Sequence, residues 1–168
     1  MTPTPILVIG ATGKTGARVA ARLEAMNRLV RHGTRSALIP FDWEKRETWA
    51  PVLEGIESAY VTYFPDLAFP GAVDKVAAFC ATAKASGLKH IVLLSGRGEH
   101  HARLGEDAVC PSGIDFTLVR SSSVAQHFYQ GYLRDPILAD TLPMPVCIAK
   151  EPIIDLDHTP TVVVSVQN

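Results

Sequence analysis

Ile6-Leu7-Val8-Ile9-Gly10-Ala11-Thr12-Gly13-Lys14-Thr15-Gly16 is the stretch that decides the fold. Four consecutive apolar residues, three of them β-branched, read as a strand buried on both faces, as in a parallel sheet. Glycine then recurs at 10, 13 and 16. Gly10 turns the chain sharply off the strand, Gly13 lets a ligand come close to the backbone, and Gly16 lets a helix pack against the strand. Ala17, Ala20, Leu23 and Met26 follow at helical spacing, with Arg18, Arg22 and Glu24 on the other side. Strand, glycine turn and helix together predict a dinucleotide diphosphate site, because free N–H groups and the positive helix end face the turn. Gly13-Lys14-Thr15 also matches the end of a P-loop, but that motif needs a glycine where Val8 sits inside the strand. A glycine turn that holds no ligand is the other alternative.

Further along, strands and helices alternate. Asn27 can take the left-handed conformation that ends the first helix. Arg28 to His32 predicts a second strand, and Pro40-Phe41-Asp42-Trp43 closes a weaker third. Glu44 to Leu53 predicts a short helix and Ala59 to Tyr63 a fourth strand. Val73, Val76, Ala77, Cys80 and Ala83 form one helical stripe that Gly87 caps. His90 to Leu94 predicts a fifth strand, Glu99 to Cys110 a helix, and Phe116 to Val119 a sixth strand. This order implies right-handed crossovers and an α/β, doubly wound parallel sheet, the Rossmann-type fold. The expected domain runs from 1 to 141. A tail from 142 to 168 is broken by prolines, with only Val162 to Val166 suggesting an element.

The bulk composition agrees with one soluble domain. The chain has 168 residues, 47% hydrophobic and 20% charged, with a formal net charge of -1. That balance gives no basic face for nucleic acid or for an anionic membrane. No apolar run reaches the roughly 20 residues of a membrane span, and Met1 to Pro5 lacks the basic start of a signal peptide. Cys80, Cys110 and Cys147 are isolated, so neither a disulfide framework nor a metal site is expected. A cytoplasmic setting follows as the default. A homo-oligomer stays open.

The second strand bears on cofactor choice. NAD-selective folds place an acid at its end, on the ribose 2′-hydroxyl. Between Arg28 and Phe41 there is none; Arg31 and Arg35 are there instead. An arginine at this place can pair with a 2′-phosphate, so NADP(H) is favoured over NAD(H). The alternative is that both are solvated surface arginines.

Gly10 to Gly16, Phe41-Asp42-Trp43, Val61 to Pro65, Ile91 to Gly96 and Thr117-Leu118-Val119-Arg120, taken as an ordered set, resemble the NmrA-like atypical short-chain dehydrogenases. The nearest likeness is to the ergot-alkaloid, festuclavine or agroclavine, dehydrogenase branch. The resemblance runs from Ile6 to about Asp157. It implies an NAD(P)-binding domain followed by a smaller substrate region. By position, it implies that Gly10, Thr12, Gly13, Lys14, Thr15 and Gly16 hold the diphosphate. Arg35 and Ser36 would take the adenosine 2′ side, and Asp42 and Trp43 the adenine. Tyr63, Phe64 and Pro65 would line the cofactor, Ser95 and Gly96 its nicotinamide ribose, and Ser121, Ser122, Ser123 and Val124 the nicotinamide. Relatives continue well beyond this length, and the text after Asp157 departs from them, so a truncated or frame-shifted chain is expected, with 142–168 a remnant of the substrate region.

Standard short-chain dehydrogenases use a YxxxK pair, in which Tyr is the acid and Lys lowers its pKa. No Tyr or Lys lies between Gly96 and Asp115. Ser95 and His127 are the candidate catalytic residues, against packing and surface roles for each. His100 and His101 are adjacent, share no helix face and make a poor metal pair. Two functions remain: an NAD(P)H-dependent oxidoreductase acting on a small organic substrate, or a non-catalytic NAD(P)H sensor or inactive truncated member.

Overall fold

The computed structural model describes residues 4–131, 133–141, 152–158, 160–161 and 163. Five strands form one all-parallel sheet: β1 Ile6–Ile9, β2 Val30–Gly33, β3 Ser58–Val61, β4 His90–Gly96 and β5 Asp115–Ser121. Their spatial order is β2-β1-β3-β4-β5. The three apolar runs therefore occupy the interior of the sheet, as their unbroken hydrophobicity predicts. Registers Val8↔Tyr60 and Tyr60↔Val92 place the ends of β1 and β3 at one level, and β4 runs on beyond them to Gly96. Their C-terminal edges open on a common side.

The intervening helices are α1 Lys14–Ala25, α2 Trp49–Leu53, α3 Ala72–Ala85 and α4 His100–Val109. Side chains alternate along each strand and build two cores. Leu7, Ile9, Ala59, Val61, Ile91 and Leu93 face α2, α3 and α4. Ile6, Val8, Tyr60 and Val92 face Val19, Ala20 and Leu23 of α1, joined by Val163. Each fully buried aliphatic side chain contributes about 1.5–3 kcal/mol relative to exposure. This is a Rossmann-type α/β fold.

Several expectations need correction. Pro40 to Trp43 forms no strand. Phe41 and Trp43 instead enter an aromatic cluster, ring centroids 5.0 Å apart, with Trp49, Tyr63 and Phe79. The backbone there is satisfied by side chains: Thr48 Oγ1 accepts from Asp42 N at 3.1 Å, and Trp49 Nε1 donates to Asp42 O at 2.8 Å. The buried stripe of α1 is Gly16, Val19, Ala20 and Leu23; Ala17 and Met26 are exposed. In α3 Phe79 is buried and Ala77 is not. β3 ends at Val61, two residues early, and β4 and β5 run on to Gly96 and Ser121. Asn27 and Gly87 do take positive φ, at 57° and 85°.

Beyond β5 the chain adds β6 Ser123–Val124, α5 Gln126–Gln130, α6 Arg134–Leu138 and β7 Ile153–Ile154. β6 and β7 pair in parallel. Gln126, fully buried, holds this segment: its Nε2 donates to Asp155 Oδ1 at 2.7 Å and its Oε1 accepts from Leu156 N at 3.0 Å. Arg18 Nε donates to Asp157 Oδ1 at 2.6 Å, tying the same segment to α1. Of Val162 to Val166, only Val163 lies within the described residues; its backbone is helical and it is buried. Among the described residues no helix is long and apolar enough to cross a membrane.

Candidate functional site

The glycine turn sits at the C-terminal edge of β1, between the sheet and the start of α1. Gly10 has φ 74°, and its N–H donates to Gly33 O at 3.0 Å, locking the turn to β2. Gly13 N donates back to Gly10 O at 2.8 Å. A Cβ at Gly16 would lie 2.6 Å from the Gly10 carbonyl carbon, and closer still to its oxygen. Only glycine allows α1 to start this near the strand. Gly13 is the exposed N-cap of α1, extended at φ -81°, with no side-chain cap. The first N–H groups of a twelve-residue helix thus face outward without a capping side chain, which suits an anion. This cradle fits the diphosphate of a dinucleotide.

The structure separates the two arginines of β2. Arg31 Nη1 donates to Val52 O at 3.0 Å and Glu54 O at 2.5 Å, closing the end of α2. Arg35 is exposed in the loop after β2. The Phe41 N–H closes that loop on Thr34 O at 2.9 Å, and Thr34 Oγ1 and Ser36 Oγ lie 3.4 Å apart. Arg35 and Ser36 therefore stand together at the rim, while Arg31 is spent on the fold.

Asp42 Oδ1 accepts from Glu44 N at 3.0 Å. Trp43 is buried, and its Nε1 donates to Thr62 O at 3.2 Å. Tyr63 packs on Trp43 at a centroid distance of 5.0 Å, whereas Phe64, next along, is exposed. Trp43 and Tyr63 are thus buried, Asp42 is half-buried beside them, and Phe64 and Pro65 are exposed just past β3.

Lys14 and His127 come together across the turn. A Cβ on Gly131, just past α5, would lie 3.1 Å from Lys14 Nζ. Burial lowers the pKa of His127, the Lys14 cation lowers it further, and the Asp66 carboxylate opposes both. Its imidazole is therefore neutral at physiological pH. Beneath α1, burial pushes the Tyr60 hydroxyl up to about 12, with the Thr15 side chain acting the other way. Tyr60 stays protonated and is no base.

At the far end of the edge, Ser95 is 4% exposed and its Oγ makes no hydrogen bond of normal geometry. Beside it stands a pair that sequence reasoning missed. Arg120 Nε lies 3.0 and 3.2 Å from the two oxygens of Glu106, and its Nη2 lies 2.7 Å from Oε2. The Arg120 guanidinium holds the Glu106 carboxyl below the ordinary value, and the Ser95 hydroxyl adds to this against the cost of burial. Ser95 and Arg120 are register partners on β4 and β5, so their side chains share a face. A signal existed: Ala102, Gly105, Glu106 and Val109 form the buried stripe of α4. A charge inside such a stripe demands a partner. Arg97 N donates to Ser121 O at 2.8 Å, and Ser121 Oγ donates to Ser122 O at 2.9 Å. The Glu99 side chain lies over Gly96, Ser123 is exposed, and Val124 is buried in β6.

No family model matches the chain. It is 26% identical over 162 residues to prestalk A differentiation protein A of Dictyostelium discoideum, covering 86% of this chain and 53% of that protein. It is 29% identical over 102 residues to the uncharacterized oxidoreductase YesF of Bacillus subtilis, covering 56% and 35%. The chain spans about half the length, or less, of these curated relatives. Among solved structures, a nucleoside-diphosphate-sugar epimerase from Staphylococcus aureus superposes with a TM-score of 0.81 at 18% identity, over 98% of this chain and 66% of that one. A short-chain dehydrogenase/reductase superfamily protein from Agrobacterium tumefaciens, with bound NAD, gives 0.67 at 14% identity, over 95% and 72%. The Citrobacter triphenylmethane reductase complexed with NADP(H) gives 0.56 at 19% identity, over 80% and 55%. Their common ground with this chain is the Rossmann-type fold.

Proposed function

We propose that this chain is the NAD(P)(H)-binding unit of an oxidoreductase acting on a small organic substrate, with NADP(H) favoured over NAD(H). The observation that carries the reading is the glycine cradle, in which Gly16 and Gly10 touch and Gly13 leaves the start of α1 open. Gly10, Thr12, Gly13, Lys14, Thr15 and Gly16 would hold the diphosphate. Arg35 and Ser36 would take the 2′ side, beside Asp42 and Trp43. Tyr63, Phe64, Pro65, Ser95 and Gly96 would follow the edge toward Ser121, Ser122, Ser123 and Val124. A bound nicotinamide supplies hydride chemistry, and the protein supplies orientation and a dry site. Neighbours of the same fold that carry NAD or NADP(H) support this reading, as does the likeness to a protein called an oxidoreductase.

The commitment of Arg31 to α2 favours Arg35 as the reader of a 2′-phosphate. Calorimetric titration with NADPH and NADH tests this. Arg35→Ala should weaken NADPH binding about tenfold or more, since a charge-assisted contact is worth about 1.5–3 kcal/mol. NADH binding should hold. Equal losses for both would refute the assignment.

A sensor that binds NAD(P)(H) without turnover is the second reading. It is favoured by α4, whose ten residues His100–Val109 carry neither the Tyr nor the Lys of a YxxxK pair. NADPH consumption with quinones, aldehydes and imines distinguishes the two. The NmrA-like assignment, a cytoplasmic setting and a homo-oligomer belong to the same proposal.

A further inference from the structure

We propose that nucleotide binding and the chain that follows β5 reinforce each other: Arg18 and Gly131 seat β6, α5 and β7 on the first turn of α1, and this seat pre-orders Lys14 for the diphosphate. The inference rests on the nucleotide-site reading and couples to it an element outside the cradle. Two contacts make the seat. In the first, Arg18 Nη1 donates to Lys14 O at 2.9 Å and Arg18 Nε to Asp157 Oδ1 at 2.6 Å. Asp155 Oδ1 accepts from Asp157 N at 2.9 Å and from Gln126 Nε2 at 2.7 Å. Gln126 Oε1 in turn accepts from Leu156 N at 3.0 Å. Hydrogen bonds thus link the first residue of α1, step by step, to the buried Gln126 that starts α5. The second contact is at the other end of α5. A Cβ on Gly131 would lie 3.1 Å from Lys14 Nζ and 2.9 Å from the His127 α carbon. Gly131 is extended, at φ -126°, so glycine serves here for room and not for backbone freedom.

Lys14 is the first helical residue after the uncapped N-terminus, and it is half-buried although its side chain is long and charged. A free lysine side chain loses rotamer freedom when it takes up an anion. One already held against Gly131 has lost that freedom beforehand, so more of its attraction reaches the ligand. The ligand acts in return on the seat. A diphosphate fixed on the first N–H groups steadies the turn whose carbonyl Arg18 grips, and so keeps Arg18 aimed at Asp157. Linkage makes the two effects equal: the factor that the seated segment adds to nucleotide affinity is the factor that the nucleotide adds to the seating. Arg18 and Gly131 are positioning residues, because they act through Lys14.

Hydrogen exchange of the unmodified protein, with and without saturating NADPH, tests the inference. Exchange at the Leu156 and Ala125 N–H groups should slow about fivefold, the low end of ordinary coupling between sites. The N–H of Asn27, bonded to Glu24 O at the far end of α1, should not respond. Asp157→Ala removes an exposed carboxylate and breaks the link to Arg18. It should weaken NADPH binding about two- to fivefold, the worth of an exposed ion pair, and leave less than about twofold protection at Leu156. The sign is diagnostic, because charge alone would make the loss of an acid strengthen the binding of an anion. Gly131→Ala reaches the seat from α5 and should weaken binding in the same direction. Saturable NADPH binding with no change at Leu156 and Ala125, or with equal slowing at Asn27, would overturn the inference while leaving the nucleotide-site reading intact. An Asp157→Ala protein that binds NADPH as tightly as the parent would do the same. Failure of the unmodified protein to bind NADPH would overturn both this inference and the reading it rests on.

Discussion

The Gly10 carbonyl and the α carbon of Gly16 are so close that no side chain fits between them: a Cβ on Gly16 would come 2.6 Å from the Gly10 carbonyl carbon. The obstacle is backbone and cannot rotate away. Gly16→Ala should therefore push α1 off the sheet and destabilise the protein by about 1–3 kcal/mol, the usual cost of overpacking. Gly55, at φ 70° with open space around it, is the control. Gly55→Ala pays only for its backbone conformation, about 1 kcal/mol. Urea denaturation of the two variants checks the order. A Gly16→Ala protein as stable as the parent would show that the turn is looser than described.

Arg31 and Arg35 should separate stability from binding. Arg31→Ala leaves the carbonyls of Val52 and Glu54 without their donor, so it should cost about 1–3 kcal/mol of stability. It should not change the preference for NADPH over NADH. Thermal unfolding with paired titrations would expose a reversal of roles.

The sequence made the sheet legible because β1, β3 and β4 are buried on both faces and need no partner to be recognised. It made the glycine cradle legible because three backbone demands fall at fixed spacing. The segment Pro40 to Trp43 misled, since an aromatic–polar–aromatic alternation suits a half-buried strand as well as a loop that pins two rings in the core. Ser95 was legible as a site candidate, but Glu106 and Arg120 were not. They lie 14 apart, on a helix and a strand, and meet only because β5 docks in register beside β4. Gln126 was equally silent, because its partners Asp155 and Leu156 return from far along the chain.

The Glu106 pair gives a pH signature. Its folded pKa is depressed below the ordinary 4.5, chiefly by Arg120. Its contribution to stability is therefore complete above that value and is lost as pH falls through the folded pKa. Below pH 4.5 the parent should lose stability more steeply than Glu106→Gln. Parallel acid-denaturation curves for the two would contradict the assigned shift.

Gln126 should control the segment around β7. Gln126→Ala removes the acceptor of the buried Leu156 N–H and one donor to Asp155. The loss should be about 1–3 kcal/mol and local. Hydrogen exchange should accelerate at Leu156 and Ala125, whose N–H donates to Ile154 O at 2.8 Å, while β1 and β4 stay protected. Uniform acceleration across the sheet would show that the segment is part of the global unit.

The central claim is that the start of α1 binds the diphosphate of a nicotinamide dinucleotide, and Gly13→Asp tests it most directly. Gly13 is the exposed N-cap, in an extended conformation that aspartate adopts freely. Asp is a preferred N-cap, worth about 0.5–2 kcal/mol over alanine. Its Cβ would meet Gly10 O at 3.2 Å, a small adjustment. The variant should fold with stability equal to or above the parent. Its carboxylate, however, would stand where the diphosphate must lie and repel it. Calorimetric titration with NADPH should show saturable binding to the parent and none to Gly13→Asp. Undiminished binding to a folded Gly13→Asp protein would place the nucleotide elsewhere and contradict the account.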